Sequence, residues 1–208
     1  DVMLSVNESN AAELIQQATV AYTGRRVSPQ AMQCVVRSAK PKPGDLVLAM
    51  VKEIGHHKRL HRVDGSKKNL FVGDLVIVAY ADRYAPAQFE ARVPADLRDC
   101  DLVAAGGIAG TVVAKHDRIR RDPTRLKPLG LIASDPEAPP LNVGGWALEP
   151  VVAGPRGNVP TIAVAGTTMD SGKTTSAAYL VHGLRRYGLE VGYATVSYTH
   201  LTLPTKVT

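Results

Sequence analysis

AVAGTTMDSGKTT, Ala163 to Thr175, sets two glycines, a lysine and paired threonines between a short apolar run and a helical pattern. A polyphosphate needs several backbone N–H groups converging on its oxygens, which calls for glycines that permit close approach and for a helix N-terminus whose dipole favours an anion. Gly166 and Gly172 supply the first. Lys173 is placed to reach the β- and γ-phosphates, the Thr174 hydroxyl to ligate Mg²⁺, and Thr175 to bond the α-phosphate. TIAVAG before the loop reads as a strand. KTTSAAYLVHGLRRYG after it carries Ala177, Ala178, Leu180, Val181 and Leu184 at helical spacing, with Gly188 as the residue that stops the helix, and EVGYA reads as a second strand. The expectation is strand, loop, helix and strand: the start of an α/β P-loop domain over residues 161–195. It assigns nucleotide binding to Gly166, Thr167, Thr168, Met169, Asp170, Ser171, Gly172, Lys173, Thr174 and Thr175, with Lys173 catalytic and Thr174 the metal ligand.

Five residues separate Gly166 from Gly172, one more than in the commonest phosphate loop. In this spacing GTTMDSGKTT resembles the loop of the dethiobiotin synthetase and cobyrinic acid amide synthetase-like class of P-loop NTPases, and it is similar to the loop of DUF1611-type proteins. The resemblance spans Thr161 to Ala194. It implies ATP rather than GTP, with Mg²⁺, and phosphoryl transfer that activates a carboxylate on a small-molecule substrate for ligation. Asp170 matches an acidic position that helps to order metal or substrate. Thr167 stands where MinD-like partition ATPases carry a second lysine, so a homodimer would not be lysine-bridged. Two other readings stay open: a nucleotide-gated switch that binds nucleic acid or protein, and a metallochaperone GTPase.

Upstream the texture differs. Residues 11–39 read as two short helices, with apolar Leu14, Ile15, Ala18 and Ala21 in the first and Ser28 before Pro29 as a candidate cap for the second. KPKPGD, Lys40 to Asp45, ends them, giving a helical segment over 1–43. LVLAMVKEI, NLFVG, DLVIVAY and FEARV then follow as β-branched runs between turns, and LVAAGGIAGTVVAKH and LGLIASDPEAPPLNV add further strand-turn units. Residues 44–150 are therefore expected to form a small all-β, barrel-like domain built as an antiparallel meander. Gly44-Asp45 and Gly73-Asp74 read as strand-entry turns without an internal repeat. VVAGPRGNVP, residues 151–160, reads as the linker to the P-loop domain.

The chain has 208 residues, of which 45% are apolar and 21% charged, a globular composition with no apolar run long enough to span a bilayer and no secretory leader. A cytoplasmic protein without a membrane partner is expected. The net charge of +6 admits anionic partners. IGHHKRLHRVDGSKK, Ile54 to Lys68, reads as a solvated hairpin connection before it reads as a polyanion contact or a metal site, because no carboxylate or cysteine completes a ligand set beside His56, His57 and His61. Nucleic acid is not favoured, with only Phe71, Tyr80, Tyr84 and Phe89 as stacking candidates nearby. KHDRIRRDPTRLK, Lys115 to Lys127, reads as a loop, AAGGIAG as a tight turn, and Cys34 and Cys100 as ordinary thiols. VSYTHLTLPT, Val196 to Thr205, resembles a translated library adapter, so residues 196–208 are set apart from the functional reading and the P-loop domain is expected to be truncated.

Overall fold

The computed structural model describes residues 10–85, 87–149, 159–167 and 171–194. The adapter-like tail and the greater part of the linker lie outside them. The chain divides into two compact units, the first comprising residues 1–84 and 88–147 and the second residues 85–87 and 148–208.

The first unit is mostly β-sheet. Its helix α1 (Ala11–Gln17) forms from good helix formers, with Glu13 in the first turn bonded by Gln17 Nε2 at 3.0 Å, and it buries Ala11, Leu14 and Ile15 on one face. The second N-terminal helix is absent. Pro29–Ala31 makes a single 3₁₀ turn, and Cys34–Val36 is instead strand β2, with β1 at Thr19–Val20. The adjacent valines at the end of this segment favour extended backbone, and Leu131 to Ala133 supply their ladder partners.

The remaining strands are β3 (Leu46–Glu53), β4 (Arg59–His61), β5 (Lys67–Asn69), β6 (Leu75–Tyr80), β7 (Arg83–Tyr84), β8 (Phe89–Arg92), β9 (Cys100–Ala104), β10 (Ile108–Lys115) and β11 (Thr124–Ala133). β4 and β5 pair as a separate hairpin, and the other nine strands form one mixed sheet in the order β1-β6-β3-β11-β9-β10-β8-β7, with β2 also on β11. The order is not that of a meander, since β1 and β10 both run parallel to β6. The β10–β6 pairing, Ile108 opposite Ala79 and Ala109 opposite Tyr80, returns the path β6-β3-β11-β9-β10 to its start.

Why β6 and Leu46 to Val51 of β3 are unbroken apolar runs follows from their position: both faces are covered. Val47, Ala49 and Val51 with Val76, Val78 and Tyr80 enter one core, shared with Leu60, Leu102 and Leu126. Leu46 and Leu48 with Leu75, Ile77 and Ala79 enter a second, closed by Leu14, Ile15, Val27 and Met32. β11 changes neighbours part-way, pairing β9 over Thr124–Leu126 and β2 over Leu131–Ala133, with a register shift between Pro128 and Gly130 against β3. The bulge shows in the packing. Leu129 faces the second core and Leu131, two residues on, faces the first. Proline has no N–H for a ladder, and the bulge is where a central strand can accept Pro128. The basic run 115–127 is thus only partly loop: Lys115 ends β10 and Thr124 opens β11.

GDLVLAMV and GDLVIVAY, residues 44–51 and 73–80, are a repeat after all. β3 and β6 pair antiparallel with Leu46 opposite Ala79 and Met50 opposite Leu75, so a local two-fold axis exchanges them. Asp45 N donates to Lys42 O and Asp74 N to Phe71 O, each at 3.1 Å. Asp45 Oδ2 takes Lys42 N at 2.8 Å and Asp74 Oδ2 takes Phe71 N at 3.1 Å. Across the pair, Tyr80 N donates to Asp45 O and Val51 N to Asp74 O, both at 2.9 Å. In both turns the glycine adopts positive φ, 91° at Gly44 and 93° at Gly73.

In the second unit the expected helix is present as α2 (Lys173–Arg186). Gly188, with φ 81°, ends it as anticipated: Gly188 N donates to Arg185 O at 2.9 Å and Leu189 N to Leu184 O at 3.2 Å, the paired bonds of a left-handed C-terminal cap. The two flanking strands do not form among the described residues. TIAVAG carries no regular structure, with Ile162 61% and Val164 39% exposed, and EVGYA carries only a single bridge position at Tyr193.

Candidate functional site

Of the ten loop residues, Gly166, Thr167, Ser171, Gly172, Lys173, Thr174 and Thr175 are described, and Thr168, Met169 and Asp170 lie outside the described residues. Lys173 is the first residue of α2, and Gly172 before it takes a left-handed conformation, φ 81° and ψ 6°. The loop closes on itself. A Cβ on Gly166 would strike Ser171 Oγ and would come within 2.9 Å of Lys173 Cγ, so the end of the apolar run lies close against the helix start. Lys173 Nζ donates to Ser171 Oγ at 3.1 Å, which holds the ammonium over the loop. Thr174 and Thr175 are exposed in the first turn of α2. The structure therefore brings Gly166, Ser171 and Lys173 together at a helix N-terminus, with two free-standing hydroxyls one step along. Thr174 offers a hard oxygen donor of the kind Mg²⁺ takes.

The histidine segment resolves into two parts. Arg59–His61 and Lys67–Asn69 form the expected hairpin, closed by Ser66 N and Oγ bonding Asp64 Oδ1 at 2.9 and 2.7 Å. His56 and His57 leave it and pack edge-on to the Phe89 ring, with centroids 5.5 and 5.9 Å away, and on each other at 4.9 Å. His57 Nε2 lies 2.9 Å from Val103 O. Burial pushes the His57 pKa down to about 4, the Val103 bond opposes this, and the charges of His56 and Arg83 add to it. His56 is lowered too, by burial and then by Arg83. Among the described residues, no three His, Cys, Asp or Glu side chains converge on a point that could hold a metal ion.

The thiols are free: Cys100 is buried beside Tyr80 Oη at 4.0 Å, its pKa raised to about 12 by desolvation. Of the stacking candidates, Tyr80 and Phe89 are fully buried, while Phe71 and Tyr84 are exposed. Arg83 carries no sequence signal, being one of 25 basic residues, yet it is buried and its charge acts on both His56 and His57. No helix of the described residues is long and apolar enough to cross a membrane. No protein-family model, curated protein or solved structure matches the chain.

Proposed function

We propose that this protein binds a nucleoside triphosphate with Mg²⁺ through the loop Gly166 to Thr175, and that the bound nucleotide serves phosphoryl transfer. The observation that carries the reading is the closure of the loop: Gly166 against Lys173 and Ser171, immediately before α2. Backbone N–H groups of such a ring and the first turn of a helix are donors for phosphate oxygens. Lys173 would reach the β- and γ-phosphates and Thr174 would hold Mg²⁺, which neutralises charge on the transferring group. ATP over GTP, and a carboxylate acceptor awaiting ligation, rest on the resemblance of GTTMDSGKTT to the dethiobiotin synthetase-like class. The strand pairings that return to β6 support a barrel-like reading of residues 44–148, a module separate in sequence from the nucleotide loop.

The test is a fluorescence titration of the intact chain with ATP and GTP analogues, with and without Mg²⁺. Lys173→Ala is expected to weaken binding by about tenfold or more, the loss of one charge-assisted hydrogen bond, with the circular dichroism spectrum unchanged. Thr174→Ala should lose affinity only when Mg²⁺ is present. Unaltered affinity in Lys173→Ala would remove the assignment.

A further inference from the structure

Arg83 Nη1 is the one buried side-chain nitrogen or oxygen without a hydrogen-bond partner among the described residues. The residue is 7% exposed, and its other terminal nitrogen, Nη2, donates to Gln88 Oε1 at 2.8 Å. Arg83 stands on β7 opposite Ala91 of β8, and cross-strand partners share a face of the sheet, as does Phe89 two residues along. The same Phe89 ring carries His56 and His57. Phe89, Ala91 and Val103 form a small apolar cluster there, so the guanidinium is set in a dry surround.

The carboxylates of the neighbourhood are engaged elsewhere. Asp82 accepts from Val93 N and faces Arg92, Glu90 pairs with Arg92, Asp122 with Lys115, and Asp101 with Arg125. Among the described residues none lies within ion-pair distance of Arg83. A buried cation without a counter-charge is strongly unfavourable, and a free donor in a dry site is unfavourable again.

We propose that Arg83 and His56 form a binding site for a small oxyanion, a phosphate or carboxylate group, in the first unit, lined by His57, whose one N–H is held by Val103 O. A guanidinium holds either group by short charge-assisted hydrogen bonds, and its fixed positive charge disfavours a metal cation on the same histidines. His56 and His57 are both partly exposed, and the ligand enters past them.

The test uses the whole chain carrying Lys173→Ala, so that the P-loop does not compete. Inorganic phosphate, acetate and chloride are titrated at constant ionic strength while the Cε1–H resonances of His56 and His57 are followed by NMR. Saturable shifts of both resonances with phosphate alone identify a phosphoryl ligand, with acetate alone a carboxylate, and with both a site that reads charge and size; each supports the site. Equal, non-saturating responses to all three anions overturn it. Arg83→Gln is expected to weaken the phosphate or acetate response by about tenfold or more and to abolish the rise in melting temperature that the anion gives. Should Arg83→Gln not fold, His56→Ala must weaken the same response; full-strength binding in either folded variant refutes the proposal.

Discussion

An imidazole whose Nε2 lies against Val103 O and whose ring packs on Phe89 has little water to stabilise a second proton. His57 therefore titrates near 4 in the folded protein against 6.5 for an unperturbed histidine. The unfolded chain takes up the proton first as pH falls, so stability is full above about 6.5, declines between 6.5 and 4, and levels off below. The full loss from this one group is on the order of 3 kcal/mol. His56 shifts in the same direction and adds to the decline, and the Arg83 charge works against protonation of both. In urea melts across that range His57→Gln, which keeps a donor for Val103 O, should show a shallower fall than the parent protein. Parallel curves would mean that His57 is not held neutral.

At the scale of elements, the two Gly-Asp turns give a paired experiment. Asp74 bonds Phe71 N and lies 3.5 Å from Lys68, a partly exposed arrangement, so Asp74→Ala should cost about 1 kcal/mol. Asp45 is 4% exposed and accepts from both Lys42 N and Asn142 Nδ2, so Asp45→Ala strands two donors and should cost about 2–3 kcal/mol. Equal losses in chemical denaturation would show that burial does not separate the two turns. The apolar runs of β3 and β6 were legible because their β-branched content needs no partner to be seen, and the α2 stop was legible because Gly188 meets a local steric demand. Of β11 only the second half, LGLIA, was legible. Over Thr124 to Pro128 the prolines at 123 and 128 argue against a strand, and only the partners β3, β9 and β2 explain how the chain tolerates Pro128 at a bulge. The repeat is hard to see in sequence for a related reason: GDLV recurs, but its meaning is the two-fold pairing of β3 with β6, a contact between distant residues.

Over the whole molecule, the expected boundary between a helical segment 1–43 and a β domain from 44 meets a packing fact. Leu14, Ile15, Val27 and Met32 cover Leu46, Leu48, Leu75 and Ile77, and β1 and β2 extend the sheet on β6 and β11. Periodicity shows that α1 has an apolar face but not which surface it covers, and so the N-terminal part reads in sequence as separable when it is one layer of the first core. The candidate nucleotide loop is the reverse case. Its proposed role rests on residue types and order that are local in sequence, whereas Arg83 acquires meaning only through burial. Residues 1–147, which comprise the first unit and the short 85–87 segment, are predicted to unfold in a single cooperative transition when expressed alone, since both cores lie within them. Residues 44–148 alone lack α1, β1, β2 and the four covering side chains. Each such buried aliphatic residue contributes about 1.5–3 kcal/mol, and their joint loss rivals the net stability of a small domain. The shorter piece should therefore bind a hydrophobic dye and melt without a sharp transition, while the longer one does neither. Identical cooperative melts of the two pieces would show that the N-terminal layer is dispensable and that the second core adds little to the fold.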